Sequence, residues 1–226
     1  SDKVLLHYGG GSAERSGLLD RVRASLRAAN ITVYELGGVK SNPRLELVYE
    51  GINLCRSNGI GFILAVGGGS VIDSAKTISC GTPNSDDVWD YFLGKKMAQA
   101  LLPVGVILTI PGAGSESSDG MVITNEKTMT KLAYGDERSR PVFSILNPEL
   151  TYTVPAYHTA AGITDAIAHV MERYFTRTEH TDVVDRMSEA VMRGLMRNAK
   201  QAITEPEDYN ARAEIMWACK IAHDGT

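Results

Sequence analysis

The 226-residue chain lacks the features that mark several classes of protein. No uninterrupted apolar run approaches the ~18–20 residues of a membrane-spanning helix, and the first residues do not form a basic-then-apolar signal segment. Positive charge is not in surplus either: the net charge is −4, whereas a general nucleic-acid binder needs a basic face. The sequence therefore predicts a soluble protein that binds neither a membrane nor nucleic acid.

Cysteine is also scarce. Cys55, Cys80 and Cys219 lie far apart, form no C-x-x-C pair and are odd in number. We therefore expect reduced, buried thiols in a cytoplasmic protein. A hydrophobic content of 43% with 22% charged residues is typical of a globular chain with a hydrophobic core. It excludes a disordered chain and a small protein stabilised mainly by disulfides.

Short apolar runs alternate with amphipathic stretches in the first two thirds of the chain. We predict strands at 4–8, 31–36, 61–66 and 104–110, and helices at 18–29 and 45–57. The strand at 61–66 is apolar without alternation, as expected of a strand that is covered on both faces. This order of elements predicts an α/β fold with a mainly parallel, open sheet and helices on both faces.

After Pro155 the predicted strands cease and the periodicity becomes helical, with helices expected at 159–176, 183–202 and 211–222. We therefore predict a nucleotide-binding type of domain over residues 1–154 and the start of an all-helical domain over residues 155–226. The first strand begins almost at Ser1, and the last helical pattern reaches Thr226 without a cap. We expect a chain that is truncated at both ends.

The strongest local signal is a glycine-rich turn after the third strand. Gly67, Gly68 and Gly69 follow the buried strand directly, and a helix should begin at once. Glycines let a phosphate approach the backbone, while the free N–H groups and the positive end of the helix attract an anion. Ser70 followed by Asp73 is close to a capping-box pattern, although the spacing is neither G-x-G-x-x-G nor that of a P-loop. The alternative is a tight turn that binds nothing.

Two further small-residue turns follow the first and fourth strands. One consists of Gly9, Gly10, Gly11 and Ser12, and the other spans residues 109–116. Ser12 with nearby N–H groups would accept a phosphate where an acidic residue would repel it. Each turn alone could be a plain loop, but open α/β sheets place ligands at the carboxyl ends of their strands. Three such turns on one edge favour a nucleotide site.

The helical half contains a second candidate site. Asp165 and His169 are four residues apart, so on a helix they project from one face, one turn apart. Such a carboxylate and imidazole can share a divalent metal, Zn²⁺ or Fe²⁺. Their neighbours are apolar nearly all round, which favours a buried helix. The alternative is a solvated pair worth a few tenths of a kcal/mol, and two ligands are fewer than the three that a catalytic zinc normally takes.

The other histidines have weaker cases. His223 lies on the last predicted helix and could face the same site as His169. His7 lies at a strand end and is expected to be structural. His158 and His180 lie near helix joints and are expected to be solvated.

Four motifs in register resemble one known family. They occupy residues 67–76, 112–116, 147–151 and 162–169, and their order is similar to that of the iron-containing (group III) alcohol dehydrogenases. The nearest resemblance is to the branch of NADPH-dependent butanol dehydrogenases and aldehyde reductases, and it covers essentially the whole chain. It implies a Rossmann-like N-terminal domain followed by a helical domain.

The resemblance also implies a cofactor and its binding residues. In the family, the turn like 67–70 binds the cofactor pyrophosphate, and the turn like 9–12 accepts the adenosine 2′-phosphate, so NADP(H) is favoured over NAD(H). The positions carried over on this basis are Gly9, Gly10, Gly11, Ser12, Gly67, Gly68, Gly69, Ser70, Asp73, Thr109, Ser115, Lys131 and Leu150. The last four lie along the nicotinamide and its ribose.

The resemblance further implies an enzyme that transfers a hydride between NADP(H) and a small primary alcohol or aldehyde. Asp165 and His169 match the first two of four ligands of a divalent iron or zinc ion, and the full-length protein is expected to be a homodimer. The last two histidine ligands of the family have no counterpart here. This chain alone is therefore expected to bind metal poorly and to have little or no turnover of its own.

The sequence leaves two other functions open. The first is a glycerol-phosphate dehydrogenase or a dehydroquinate synthase-like enzyme on the same scaffold. Sugar phosphates favour a basic cluster beside the metal, and only Arg173 and Arg177 lie near the helix of Asp165. The second is a non-catalytic, nucleotide-binding fragment.

Overall fold

The computed structural model describes residues 2–223. These residues form two compact units. One contains the residues up to Ile107 together with Asp119–Ser144, and the other contains Leu108–Ser118 together with the residues from Ile145 onward. The sequence did not indicate that the segment after the fourth strand packs with the helices. The domain boundary after residue 154 stays a prediction.

A five-stranded sheet organises the first unit. In chain order, the strands of the described residues are β1 (Lys3–Gly9), β2 (Thr32–Val39), β3 (Phe62–Gly68), β4 (Val104–Ile110), β5 (Gly120–Asn125), β6 (Thr130–Gly135) and β7 (Phe143–Ile145). All of them except β5 and β6 belong to this sheet. The order in the large sheet is β2-β1-β3-β4-β7, and β1 pairs in parallel with both β2 and β3. Within this register Leu5 lies between Tyr34 and Ile63. The predicted α/β class with a mainly parallel sheet is confirmed.

The helices follow the predicted periodicity closely. They are α1 (Ser12–Arg15), α2 (Leu18–Ala28), α3 (Leu45–Asn58), α4 (Gly69–Gly81), α5 (Val88–Phe92), α6 (Ala156–Tyr174), α7 (Asp182–Thr204) and α8 (Tyr209–Ile221). Two short 3₁₀ helices occupy Glu137–Ser139 and Pro148–Thr151. Over the described part of the chain, no helix is both long and apolar enough to cross a bilayer.

The core of the first unit lies where β1, β3 and α4 meet. Leu5, Leu6 and Ile63 are fully buried, and α4 is buried almost along its whole length. The apolar run of β3 thus has the two-sided cover that its lack of alternation predicts. Because this run is buried in the sheet, the point near Gly67 at which the chain leaves the sheet is also fixed.

The sequence interpretation missed the β5–β6 hairpin and the short strand β7. β5 and β6 form a separate antiparallel pair, in which Gly120 lies opposite Gly135. Only the alternate residues Met121, Ile123 and Asn125 of β5 are buried. A six-residue alternation of this kind, with a polar residue in its buried row, is a weak periodic signal.

The core of the second unit is a seam between three helices. The buried members are Ile163, Ala166 and Val170 of α6, Leu195 and Ala202 of α7, and Ala211, Ile215, Ala218, Cys219 and Ala222 in and just after α8. The expectation that α6 is buried nearly all round was wrong, since only one stripe of it is covered. The reason is that an apolar residue need not be buried, since apolar atoms make up much of any protein surface, and Ala168 is exposed here.

Candidate functional site

The turns after β1 and β3 lie together at one edge of the sheet. Tyr8 pairs with Val66, so the two chains emerge side by side. A Cβ on Gly67 would lie 2.5 Å from Val71 Cγ2, and a Cβ on Gly9 would lie 3.7 Å from the same atom. Glycine at residue 67 therefore allows the first turn of α4 to approach the strand closely.

The N-terminus of α4 is open to an anion. The helix begins at Gly69 after the N-cap residue Gly68; no side chain caps it, and its first turn contains no acidic residue. Its first N–H groups therefore lack a side-chain acceptor within the described chain and lie where the helix dipole is positive. This arrangement fits a cofactor phosphate.

The capping-box interpretation was wrong. Ser70 is the second residue of the helix rather than its N-cap. The carboxylate of Asp73 instead accepts the backbone N–H of Val122, with an Oδ2–N distance of 3.1 Å. Asp73 therefore joins α4 to β5, a role that local spacing did not reveal.

The turn after β1 carries a cation that sequence reasoning missed. Gly11 has a φ of +126°, which favours glycine, and a Cβ there would lie 2.9 Å from Arg15 Nη1. The guanidinium of Arg15 thus folds back toward Gly11, and Ser12, the next residue in the chain, is exposed. A Cβ on Gly10 would meet nothing within 4 Å. The signal in the sequence was a basic residue three positions after Ser12.

In the second unit, Asp165 and His169 project from the same side of α6. The distance from Asp165 Oδ1 to His169 Nε2 is 3.8 Å, and the two side chains are 53% and 29% exposed. Two such donors on one zinc or iron ion can be at most about 4.3 Å apart, so a single ion fits between them. Among the described residues, no group of three or more potential ligands is formed.

The segment from Leu108 to Ser118 packs directly on this part of α6. A Cβ on Gly162 would lie 2.5 Å from Pro111 O, so only glycine permits the approach. A Cβ on Gly112 would lie 3.9 Å from Asp165 Oδ2. The small residues predicted to line a nicotinamide therefore lie beside the predicted metal pair, within one compact unit.

His223 lies against the same pair. Its ring centroid is 4.5 Å from that of His169, with an angle of 48° between the planes. The expectation that His223 could face the site of His169 is confirmed. Its role as a catalytic residue stays a prediction.

The remaining candidates occupy separate positions. Ser115 is buried and Thr109 half-buried in the segment beside α6, and Leu150 is half-buried in the second 3₁₀ helix. Lys131 is exposed on β6, and its Nζ donates to Asn42 Oδ1 at 2.8 Å. Their contacts with a cofactor stay predictions.

His7 is structural, as expected. It is fully buried; Nδ1 donates to Leu36 O at 2.8 Å, and Nε2 accepts from Ser74 Oγ at 2.8 Å. Desolvation by burial lowers the pKa of His7 to about 4, against the raising effect of the Leu36 hydrogen bond. His158 and His180 are exposed, again as expected.

Comparisons with known proteins identify the family to which this chain belongs. The model of the iron-containing alcohol dehydrogenase family matches residues 1–148, and the model of the C-terminal part of the same family matches residues 159–225. The chain belongs to the iron-containing alcohol dehydrogenase family. The resemblance noted in the sequence is thereby confirmed.

Particular relatives refine this assignment. The chain is 45% identical over 223 residues to the probable NADH-dependent butanol dehydrogenase 2 of Bacillus subtilis, with 99% of this chain and 57% of that protein covered. It is 38% identical to the NADPH-dependent aldehyde reductase YqhD of Escherichia coli, over 99% of this chain and 58% of that protein.

Solved structures give the same result. The NADH-dependent butanol dehydrogenase A of Thermotoga maritima superposes with a TM-score of 0.94 at 38% identity, over 99% of this chain and 56% of that one. The chain thus spans a little over half the length of the curated relatives that it matches.

Proposed function

We propose that this chain carries the cofactor-binding and metal-binding residues of an NADP(H)-dependent oxidoreductase that interconverts small primary alcohols and aldehydes. The observation that carries the proposal is the pairing of Asp165 and His169, 3.8 Å apart on the exposed face of α6, beside the segment from Leu108 to Ser118. Relatives named as butanol dehydrogenases and an aldehyde reductase support it.

The nucleotide would be held by backbone rather than by lysine. The uncapped first turn of α4 would bind the pyrophosphate through its N–H groups. Thr109, Ser115 and Leu150 would line the nicotinamide side, where the protein's task is orientation. The cofactor itself supplies the hydride.

A preference for NADP(H) over NAD(H) is part of the proposal. NAD-specific Rossmann folds usually place an acidic residue after the second strand to bind the ribose 2′-hydroxyl. Here β2 is followed by Lys40, and Gly9, at the end of β1, pairs with Val39 beside it. The exposed hydroxyl of Ser12 and the guanidinium of Arg15 complete a setting that suits a 2′-phosphate. Relatives of both kinds exist, named as NADH-dependent and NADPH-dependent.

Asp165 and His169 would hold a divalent iron or zinc ion. When bound, such an ion supplies a Lewis acid for the substrate oxygen. The half-exposed carboxylate leaves room for that oxygen on the open side of the pair. Since catalytic zinc sites normally use three protein donors, the pair needs at least one further ligand for tight binding. We further propose that the full-length protein is a cytoplasmic homodimer.

The test is oxidation of NADPH or NADH at 340 nm with butyraldehyde, after loading with Fe²⁺ or Zn²⁺. We expect NADPH to be preferred. In the full-length protein, Asp165→Ala and His169→Ala should abolish metal retention and turnover while leaving NADPH binding intact, because neither residue lies in the unit that holds the phosphate turns. The exposed His180 provides the control His180→Ala. Normal metal retention in both site variants would refute the assignment.

A non-catalytic, nucleotide-binding role is the second candidate. It is favoured by the finding that the described residues offer only two donors at the pair. Calorimetry separates the two functions, because NADPH binding without Zn²⁺ or Fe²⁺ binding supports the second. A sugar-phosphate enzyme is disfavoured, because such an enzyme would need a basic cluster beside the metal to bind the phosphate. Arg173, one of the two arginines near the pair, instead donates from Nη2 to Ala222 O at 2.6 Å and links α6 to the end of α8.

A further inference from the structure

His223 is brought to the metal pair by two helices that run in the same direction. Near their first turns, Arg212 Nη1 of α8 donates to Thr159 Oγ1 of α6 at 2.9 Å. Near their other ends, Arg173 Nη2 of α6 donates to Ala222 O at 2.6 Å. Because like ends are joined, α6 and α8 are parallel. The residue after Ala222 therefore lies beside the last turns of α6, where His169 projects.

Close packing along the seam fixes the spacing of these two helices. Val170 and Ala222, the direct neighbours of His169 and His223, belong to one buried cluster and are 1% and 0% exposed. Interiors of this kind are close-packed, so they permit little sliding of one helix past the other. The contact between the two imidazoles thus follows from the backbone geometry of the unit.

His223 also lies close to the segment that precedes Asp119. Gly114 has a φ of +65°, and a Cβ there would lie 2.7 Å from His223 Cβ and 3.1 Å from Cys219 O. Only glycine can bring the backbone so close at this position. His223 therefore has two fixed neighbours, the backbone of Gly114 and the ring of His169.

The two members of the pair differ in exposure, and His169, which His223 contacts, is the less exposed. The side chain of His169 is 29% exposed, whereas that of Asp165, one turn earlier on the same face, is 53% exposed. An uncovered imidazole on a helix surface can rotate among several rotamers, and each rotamer points Nε2 in a different direction. A ring centroid at 4.5 Å removes much of that freedom.

We propose that His223 is a positioning residue for the metal site. Its ring packs on His169 and holds the His169 imidazole with Nε2 directed toward Asp165, so that the divalent ion meets a pre-oriented pair. This role rests on the proposed metal function of Asp165 and His169, and it extends that function to a residue on a different helix. Residues that orient a metal ligand, usually by a hydrogen bond, typically change metal affinity by about 10–100-fold when removed, and the lower end of this range is the expectation for ring packing.

The test is a Zn²⁺ titration of the whole chain, followed through the imidazole ¹⁵N resonances in long-range ¹H–¹⁵N spectra. Loss of a resonance in His169→Ala assigns that signal. We expect His223→Ala to weaken Zn²⁺ binding at His169 about tenfold. His223→Phe, which keeps a flat ring against His169 but lacks nitrogen, should restore most of the affinity. The exposed His158 gives the matched control His158→Ala, which should leave the affinity unchanged.

A second measurement needs no variant, and it decides the matter if His223→Ala does not fold. In the metal-free wild type, the ring protons of His169 and His223 should show a nuclear Overhauser effect, as expected for centroids 4.5 Å apart. Absence of this effect overturns the proposal.

The remaining outcomes separate this inference from the proposed function. If Zn²⁺ does not shift His169 in the wild type, both the metal role and the positioning role are wrong. If Zn²⁺ binds equally well to the wild type and to His223→Ala, only the positioning role is wrong. If the Phe variant is as weak as the Ala variant, or if Nε2 of His223 itself shifts as a ligand does, ring packing is not the cause.

Discussion

Replacement of His7 by glutamine should reduce the loss of unfolding free energy that this protein undergoes as the pH falls. His7 is fully buried as a neutral ring, and desolvation lowers its pKa from 6.5 to about 4. The unfolded chain therefore binds a proton between these two pH values that the folded chain does not bind. Stability from His7 is fully present above pH ~6.5 and is lost as the pH falls toward 4.

The size of the effect follows from the shift in pKa. Each unit corresponds to 1.36 kcal/mol, so the titration of His7 should remove about 3 kcal/mol of unfolding free energy across this window. Glutamine does not titrate, and its amide can still donate to Leu36 O and accept from Ser74 Oγ, the two partners of the imidazole. The unfolding free energy of His7→Gln should therefore change less with pH, with a smaller slope, than that of the wild type, whatever its value at pH 7.

Urea unfolding followed by circular dichroism at pH 7, 6, 5 and 4.5 measures this slope. Other groups also titrate in the window, so the quantity of interest is the difference between wild type and variant. His158→Gln is the matched control, because His158 is exposed and its replacement should leave the wild-type slope intact. If the unfolding free energies of wild type and His7→Gln changed equally with pH, the account of His7 as a buried neutral ring would be refuted.

Two further predictions concern packing and thiol chemistry. Gly162→Ala should cost about 1–3 kcal/mol of unfolding free energy, because the new Cβ would lie 2.5 Å from Pro111 O. Gly194→Ala in α7, where a Cβ meets nothing within 4 Å, should instead stabilise by up to about 1 kcal/mol; equal urea midpoints would contradict the contact. Burial raises the pKa values of Cys55 to about 11 and of Cys80 and Cys219 to about 12, so a disulfide reagent at pH 8 should label them only after denaturation. Rapid labelling of the folded chain would contradict their burial.

Patterns with strong local periodicity were predicted well. The strand Val104–Ile110 has the predicted bounds, and α3 extends one residue beyond its predicted end at Ser57. Long apolar or amphipathic runs leave few alternatives for the chain. The β5–β6 hairpin was missed because its six-residue strands carry little apolar signal, and β7 has only three residues.

The site was predicted where it depends on spacing and missed where it depends on distant contacts. The four-residue step from Asp165 to His169 indicated a shared helix face, and the structure places the two side chains 3.8 Å apart. By contrast, the approach of Pro111 to Gly162 joins residues that are far apart in the chain. Such approaches arise from tertiary packing, and a single sequence shows only that a glycine is present.

The helical unit is assembled from two separate stretches of chain. β4 begins in the sheet unit at Val104, and its end at Ile110 already belongs with the helices, as does the loop that follows it. A piece excised from residue 155 onward would therefore lack Pro111 and Gly112, the residues that pack against Gly162, and would leave this part of α6 uncovered. Anyone who wishes to graft the helical segments that carry Asp165, His169 and His223 onto another scaffold must transplant both stretches together.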